Sequence, residues 1–156
     1  IEPSQKIRSL GVKLKHNINK TLVKNKSLTL IDDSLVRGTT SVKIVKMLYE
    51  AGAKEVHLKI ASPPIKYPDY YGVDTPNQNE LLASKFDIEG MRKFINATTL
   101  QFLSIEGLYK SMGYEKRNSS YPQFTDHCFT GEYPIKPIDA KDKDFLDKRP
   151  SLVSSK

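Results

Sequence analysis

A single cysteine among 156 residues leaves no partner for an internal disulfide, which excludes a small domain stapled by cross-links. Apolar runs are short, well below the roughly 20 residues that cross a bilayer, and no leader pattern of charged, apolar and small residues opens the chain. The cytosol is therefore the expected compartment, with no membrane partner. No segment repeats. Aromatic residues are not interleaved on a basic face, so general nucleic-acid binding ranks last among the functions considered and no nucleic-acid partner is expected.

What the chain does contain is the composition of a folded protein, 38% hydrophobic and 28% charged. That mixture and length suit one compact domain rather than a disordered chain. Lys and Arg total 25 against 18 acids, a formal charge of +7. Such a surplus suits a partner rich in phosphate, either a nucleic acid or a phosphorylated metabolite, and charge alone does not choose between them. The opening Ile1, in place of Met, gives the expectation that the chain is a fragment.

Periodicity changes in order along the chain. Residues 28–31, LTLI, predict a short buried strand that ends at Asp32 and Asp33. From about Thr40, Val42, Val45, Leu48 and Tyr49 recur at helical spacing, and Gly52 stands where a helix-ending glycine belongs. Residues 55–61, EVHLKIA, predict a second strand, stopped by Ser62-Pro63-Pro64. This is a βαβ unit, which favours parallel pairing. Because His57 and Lys59 alternate with Val56, Leu58 and Ile60, one sheet face is expected near solvent, a ligand or another domain. Asn77 to Glu80 has the spacing of a capping box, Asp87 is placed to cap IEGMRKFI, TLQFL at 99–103 predicts a strand, and Ser104 is placed to cap IEGLYKSM before Gly113. The α/β unit is expected over 1–113, with a loop-rich extension over 114–156 that ends in a disordered tail.

The chemistry concentrates in DDSLVRGTT, residues 32–40. A strand-to-helix turn offers backbone N–H groups with no intrahelical partner and the positive end of the helix dipole, which suits an anion. Gly38 permits close approach, Ser34, Thr39 and Thr40 offer hydroxyls, and Arg37 adds charge. Asp32 and Asp33 would repel a phosphate but suit sugar hydroxyls and Mg²⁺, a hard cation that prefers oxygen ligands. The two halves together describe a ribose 5-phosphate. Turns of this composition also arise from capping alone, so the residues by themselves leave both readings open.

LTLIDDSLVRGTT resembles the phosphoribosyl pyrophosphate (PRPP) motif of type I phosphoribosyltransferases. GVKLKHN before it and MLYEAGAKEVHLKIASPPIKYPDYYGVDTP after it resemble the amidophosphoribosyltransferase family, over about residues 1–134. The resemblance implies a type I phosphoribosyltransferase-like α/β fold, a parallel sheet flanked by helices, incomplete in this chain. It implies that Asp32 and Asp33 bind the ribose hydroxyls and contribute to the Mg²⁺ site, while Ser34, Arg37, Gly38, Thr39 and Thr40 hold the 5-phosphate. The implied reaction converts PRPP and glutamine to phosphoribosylamine in the first committed step of purine synthesis. A missing N-terminal glutaminase domain would handle the glutamine, so this chain alone is expected to be inactive. Lys13 and Lys15 are candidate pyrophosphate contacts, with a solvated basic strand as the other reading. A homo-oligomer inhibited by purine nucleotides is also implied.

Some family members hold an iron–sulfur cluster through cysteines, one just after the IKYP segment and a CxxC pair before FTG. Here Asp69 and Thr125 stand at two of those places and only Cys128 remains, so no cluster is expected. Cys128 beside His127 is read as an ordinary free thiol. His16 and His57 lack metal-ligand spacing and are read as structural or solvent-facing. An alternative of another class is a non-catalytic, PRPP-sensing regulatory module, since a fold does not fix a function.

Overall fold

The computed structural model describes residues 18–73, 75 and 77–135. Lys13, Lys15, His16 and the tail from 136 onward lie outside the described residues. A short helix α1 (Lys20–Val23) precedes strand β1 (Ser27–Asp32), helix α2 (Thr39–Glu50) and strand β2 (Glu55–Ile60). A 3₁₀ turn (Gln78–Glu80), α3 (Leu82–Lys85), α4 (Ile88–Ile95), β3 (Thr99–Phe102), α5 (Ile105–Ser111) and α6 (His127–Thr130) follow. No helix among the described residues is long and apolar enough to cross a membrane.

The sheet has the order β1-β2-β3, and both pairings are parallel, with Leu28 beside Val56 and Leu58 beside Leu100. Helices α2 and α4 close one face. Val56, Leu58, Ile60 and Leu100 meet Val45 of α2 and Met91 and Ile95 of α4 in one buried cluster. Each such side chain taken fully out of water contributes about 1.5–3 kcal/mol, so the cluster holds strands and helices as a unit. The other face is polar. There a ring nitrogen of His57 meets Thr99 Oγ1 at 2.9 Å, and Lys59 donates to Gln101. His57 is half-buried on this face, within reach of Ser27 as well as Thr99.

β1 differs from expectation. It lies at the edge of the sheet and alternates exposed with half-buried residues, Ile31 being 71% exposed, so it is not a buried strand among the described residues. Its apolar run reads like a central strand because sequence shows hydrophobicity and not the presence of a neighbour.

Helix ends follow local chemistry. Gly52, at φ 95°, ends α2 with its N–H on the Tyr49 carbonyl while Ala53 N–H reaches the Leu48 carbonyl, a paired closure that favours a left-handed glycine. Asp87 accepts from Gly90 N–H at 2.7 Å and Ser104 from Gly107 N–H at 2.9 Å, so both predicted caps form. The predicted capping box does not. Asn77 makes no side-chain cap on the 3₁₀ turn, Glu80 is drawn away to Arg37, and the helix that follows has only the four residues of α3.

Residues 114–135 contain α6 alone as regular structure, yet they are tied to the rest through buried charge. Asp126 accepts from the Tyr109 hydroxyl at 2.9 Å and from Arg117 Nε at 2.5 Å, and Arg117 also reaches Glu132 at 2.6 Å.

Candidate functional site

The turn after β1 is built from the core outward. Asp32 is still in the ladder, opposite Ile60, and its carbonyl accepts from Ala61 N–H at 2.9 Å. Leu35, 2% exposed, plugs into the core, and the Val36 carbonyl accepts from Leu82 N–H at 2.8 Å. These two contacts fix the path of the loop. Gly38 then takes φ 76°, and a Cβ there would stand 2.8 Å from Leu82 Cδ2 and 3.3 Å from Phe94 Cε1. Backbone conformation and close approach both require glycine.

Behind Gly38, the first helical bond runs from Val42 N–H to the Gly38 carbonyl at 2.9 Å, so the amides of Thr39, Thr40 and Ser41 precede the intrahelical ladder. Among the described residues no side chain caps this end, and no acid lies in the first turn of α2. Capping therefore does not account for the hydroxyls of the motif. They face a cavity of about 200 Å³ lined by Asp32, Ser34, Arg37, Gly38, Thr39 and Thr40. Asp33 is not among its lining residues. An uncapped N-terminus of a twelve-residue helix carries partial positive charge, and the cavity in front of it suits an anion.

Two side chains of the motif are engaged with acids, and a third, Asp32, with a backbone amide. Ser34 donates its hydroxyl to Asp33 Oδ1 at 2.9 Å, and Arg37 Nε donates to Glu80 Oε2 at 2.8 Å, with 43% and 44% of those side chains exposed. Asp32 Oδ1 accepts from Asp33 N–H at 3.1 Å. An exposed pair such as Arg37–Glu80 is worth about 0–1 kcal/mol, so it holds Arg37 only loosely. Glu80 is the site residue that sequence reasoning misses, because its spacing from Asn77 assigns it to a cap. Each of Asp32 and Asp33 keeps Oδ2 outside these bonds. An all-oxygen pair at the rim fits Mg²⁺, which commonly takes one or two carboxylates and completes its shell with water and substrate phosphate.

The other chemical residues gather elsewhere, in α6 and the loop after β2. Asp69, 6% exposed, accepts from Tyr71 N–H at 2.9 Å and Val73 N–H at 2.7 Å through Oδ2, and from His127 Nε2 at 2.6 Å through Oδ1. Burial pushes its carboxyl up, but the Val73 and Tyr71 amides and His127 outweigh that and hold it below the usual value. At Asp126 burial likewise pushes up, and Arg117, Tyr109 and Thr130 outweigh it. Burial and the charge of Asp69 push the Cys128 thiol up to about 11. That group is a thiol at neutral pH, not an activated nucleophile.

No protein-family model matches the chain. An amidophosphoribosyltransferase of Rhizobium etli is 53% identical over 156 residues, which are 99% of this chain and 32% of the relative. Chloroplastic amidophosphoribosyltransferase 2 of Arabidopsis thaliana is 51% identical over 94% of this chain and 26% of its own length. A solved structure of the glutamine PRPP amidotransferase of Bacillus subtilis, complexed with ADP and GMP, superposes at a TM-score of 0.72 with 49% identity, covering 86% of this chain and 29% of that one. The chain spans about a third or less of the length of these relatives. At such identity over nearly all of its residues, and with the parallel sheet in common, the chain belongs to the amidophosphoribosyltransferase family.

Proposed function

We propose that the β1–α2 turn is the ribose-phosphate half of a PRPP site, in an enzyme that converts PRPP and glutamine to 5-phosphoribosylamine, glutamate and pyrophosphate at the entry to purine synthesis. The observation that carries this reading is the uncapped N-terminus of α2, behind a left-handed Gly38 and in front of a cavity lined by Asp32, Ser34, Arg37, Thr39 and Thr40. The 5-phosphate rests on the first amides of α2 and on the hydroxyls of Thr39 and Thr40. Ser34 and Arg37 exchange their acid partners for phosphate oxygens. Asp32 and Asp33 accept hydrogen bonds from the ribose hydroxyls through the oxygens that the fold leaves open.

As pyrophosphate departs from C1, positive charge grows on the ribose ring, and carboxylates already fixed nearby stabilise it without reorganising. Asp32 and Asp33 would hold Mg²⁺, which would supply neutralisation of the departing pyrophosphate's charge. Ammonia then attacks C1. In this reading it comes from glutamine hydrolysed by the part of the protein that this chain does not span, since the Cys128 thiol is not set up for that chemistry.

Homo-oligomerisation, inhibition by purine nucleotides and a cytoplasmic site of action belong to the same proposal. The ADP and GMP complexed with the Bacillus subtilis protein support nucleotide binding, while the chloroplastic Arabidopsis thaliana relative shows that the compartment varies within the family. A PRPP-sensing module has no feature of its own in its favour.

The test uses the full-length protein. Asp32→Asn with Asp33→Asn should lower kcat/KM for PRPP by at least about 100-fold, the scale on which a preorganised electrostatic group acts, while glutamine hydrolysis continues. Unchanged PRPP kinetics would remove the roles assigned to both residues. Gly38→Val is a poor probe, because its Cβ already meets Leu82 before any ligand is involved.

A further inference from the structure

The contact between α6 and the loop after β2 contains a polar atom that the fold does not satisfy. His127 is 3% exposed, and its Nδ1 is buried without a hydrogen-bond partner. Buried polar atoms are nearly always paired, so an orphan in so dense a place asks for a ligand. Its own chemistry narrows the answer. Asp69 Oδ2 is locked by two backbone amides, and Oδ1 takes the His127 Nε2–H. That bond fixes the tautomer with the proton on Nε2 and leaves a lone pair on Nδ1. A carboxylate gripping one nitrogen of a ring whose other nitrogen is open is the arrangement that supports metal-bound histidines.

A sulfur stands beside it. One ring nitrogen of His127, the Cys128 sulfur and an Asp69 oxygen all lie within 4.8 Å of one another. Tetrahedral zinc, with bonds of about 2.0–2.3 Å, holds its ligand atoms about 3.3–3.7 Å apart, so the groups draw together to share one ion. The surroundings are already held: the Cys128 carbonyl accepts from Lys66 N–H at 2.9 Å and Tyr67 N–H at 3.1 Å, and Tyr71 and Tyr133 rings pack on the imidazole with centroids 5.0 Å away.

We propose that Asp69, His127 and Cys128 form a site for one zinc-class divalent cation, with His127 Nδ1 and Cys128 sulfur as ligands and Asp69 as the carboxylate that fixes the ring. One nitrogen and one sulfur select a borderline cation over Mg²⁺ or Ca²⁺. Binding releases the thiol proton to solvent and leaves the sulfur as a thiolate. A single sulfur cannot support an iron–sulfur cluster, whereas one cation needs no more. Solvent completes the shell, and the cation ties α6 to the segment from Lys66 to Val73. It takes no part in PRPP chemistry, so its test stands or falls apart from the proposed reaction.

The experiment takes the full-length protein, purified without chelator, and measures bound zinc together with zinc X-ray absorption. The expected result is stoichiometric zinc with a sulfur neighbour at about 2.3 Å and nitrogen or oxygen neighbours at about 2.0 Å. Cobalt substitution should give a near-ultraviolet thiolate charge-transfer band that Cys128→Ser abolishes, and Asp69→Asn should weaken cobalt binding by about 10- to 100-fold. Absence of bound zinc, a zinc shell without sulfur, or iron with acid-labile sulfide would each overturn the proposal. So would a cobalt–sulfur band that persists unchanged in Cys128→Ser. The absorption measurement on the unaltered protein decides the matter if that variant fails to fold.

Discussion

Two acid-bearing regions of this molecule are treated in opposite ways. Asp32 and Asp33 sit at the rim of the sheet, and among the described residues each keeps an oxygen outside the hydrogen bonds of the fold. Asp69 and Asp126 are 6% and 3% exposed, and both oxygens of each are occupied. A carboxylate taken out of water must be satisfied by the protein or lose its charge, so the second pair is committed to structure. The first pair remains wet and keeps lone pairs for something that arrives. In the proposed reading, open acids beside an uncapped helix end serve a ligand, and saturated acids serve the scaffold.

That contrast can be broken by exchanging readouts. The largest effect on activity belongs to the rim: Asp32→Asn with Asp33→Asn should remove PRPP turnover while leaving unfolding free energy within about 0.5 kcal/mol, as for surface substitutions that remove no essential partner. A large loss of stability there would make Asp32 and Asp33 scaffold residues.

The largest effect on stability belongs to Asp126. Asp126→Ala removes the buried partner of Arg117, leaves it only the exposed Glu132, and should cost about 3–5 kcal/mol in urea unfolding. A loss below about 1 kcal/mol would show the network to be solvated. Its carboxyl lies below the ordinary value of 3.8 in the folded state, so its contribution is complete above that value and declines as pH falls through the lower folded value. Acid unfolding should therefore steepen below about pH 4 in the parent protein and be shallower in Asp126→Asn.

Smaller effects sharpen the comparison at the loop. Gly38→Ala places a side chain at φ 76° against Leu82 and should cost about 1–3 kcal/mol, measured as a drop in Tm. Because Leu82 Cδ2 is the end of a flexible side chain, most of that cost is backbone strain. An unchanged Tm would show that the loop relaxes freely. Glu80→Gln is the mildest change: it releases Arg37, should alter stability by about 0–1 kcal/mol, and should lower KM for PRPP by no more than about fivefold. A rise in KM would mean that Glu80 positions Arg37 rather than competing for it.

How much of this was legible in the sequence depends on the range of each interaction. β1, α2 and β2, the Asp87 and Ser104 caps and the glycine after α2 all follow from neighbours within a few residues, and they appear where their spacing places them. The motif at 32–40 was legible for the same reason, since all of its residues but Asp33 line one cavity. What was not legible is long in range. Glu80 looks like part of a cap until Arg37, distant in sequence, claims it. His127 and Cys128 look like an idle pair until Asp69 arrives from the loop after β2. Local spacing carries no trace of either meeting.

The most direct measurement is a crystal structure of the full-length protein with PRPP and Mg²⁺. The account predicts the 5-phosphate on the amides and hydroxyls of Thr39 and Thr40, with the ribose hydroxyls within hydrogen-bond distance of Asp32 and Asp33. PRPP bound with its 5-phosphate away from the start of α2 would contradict it.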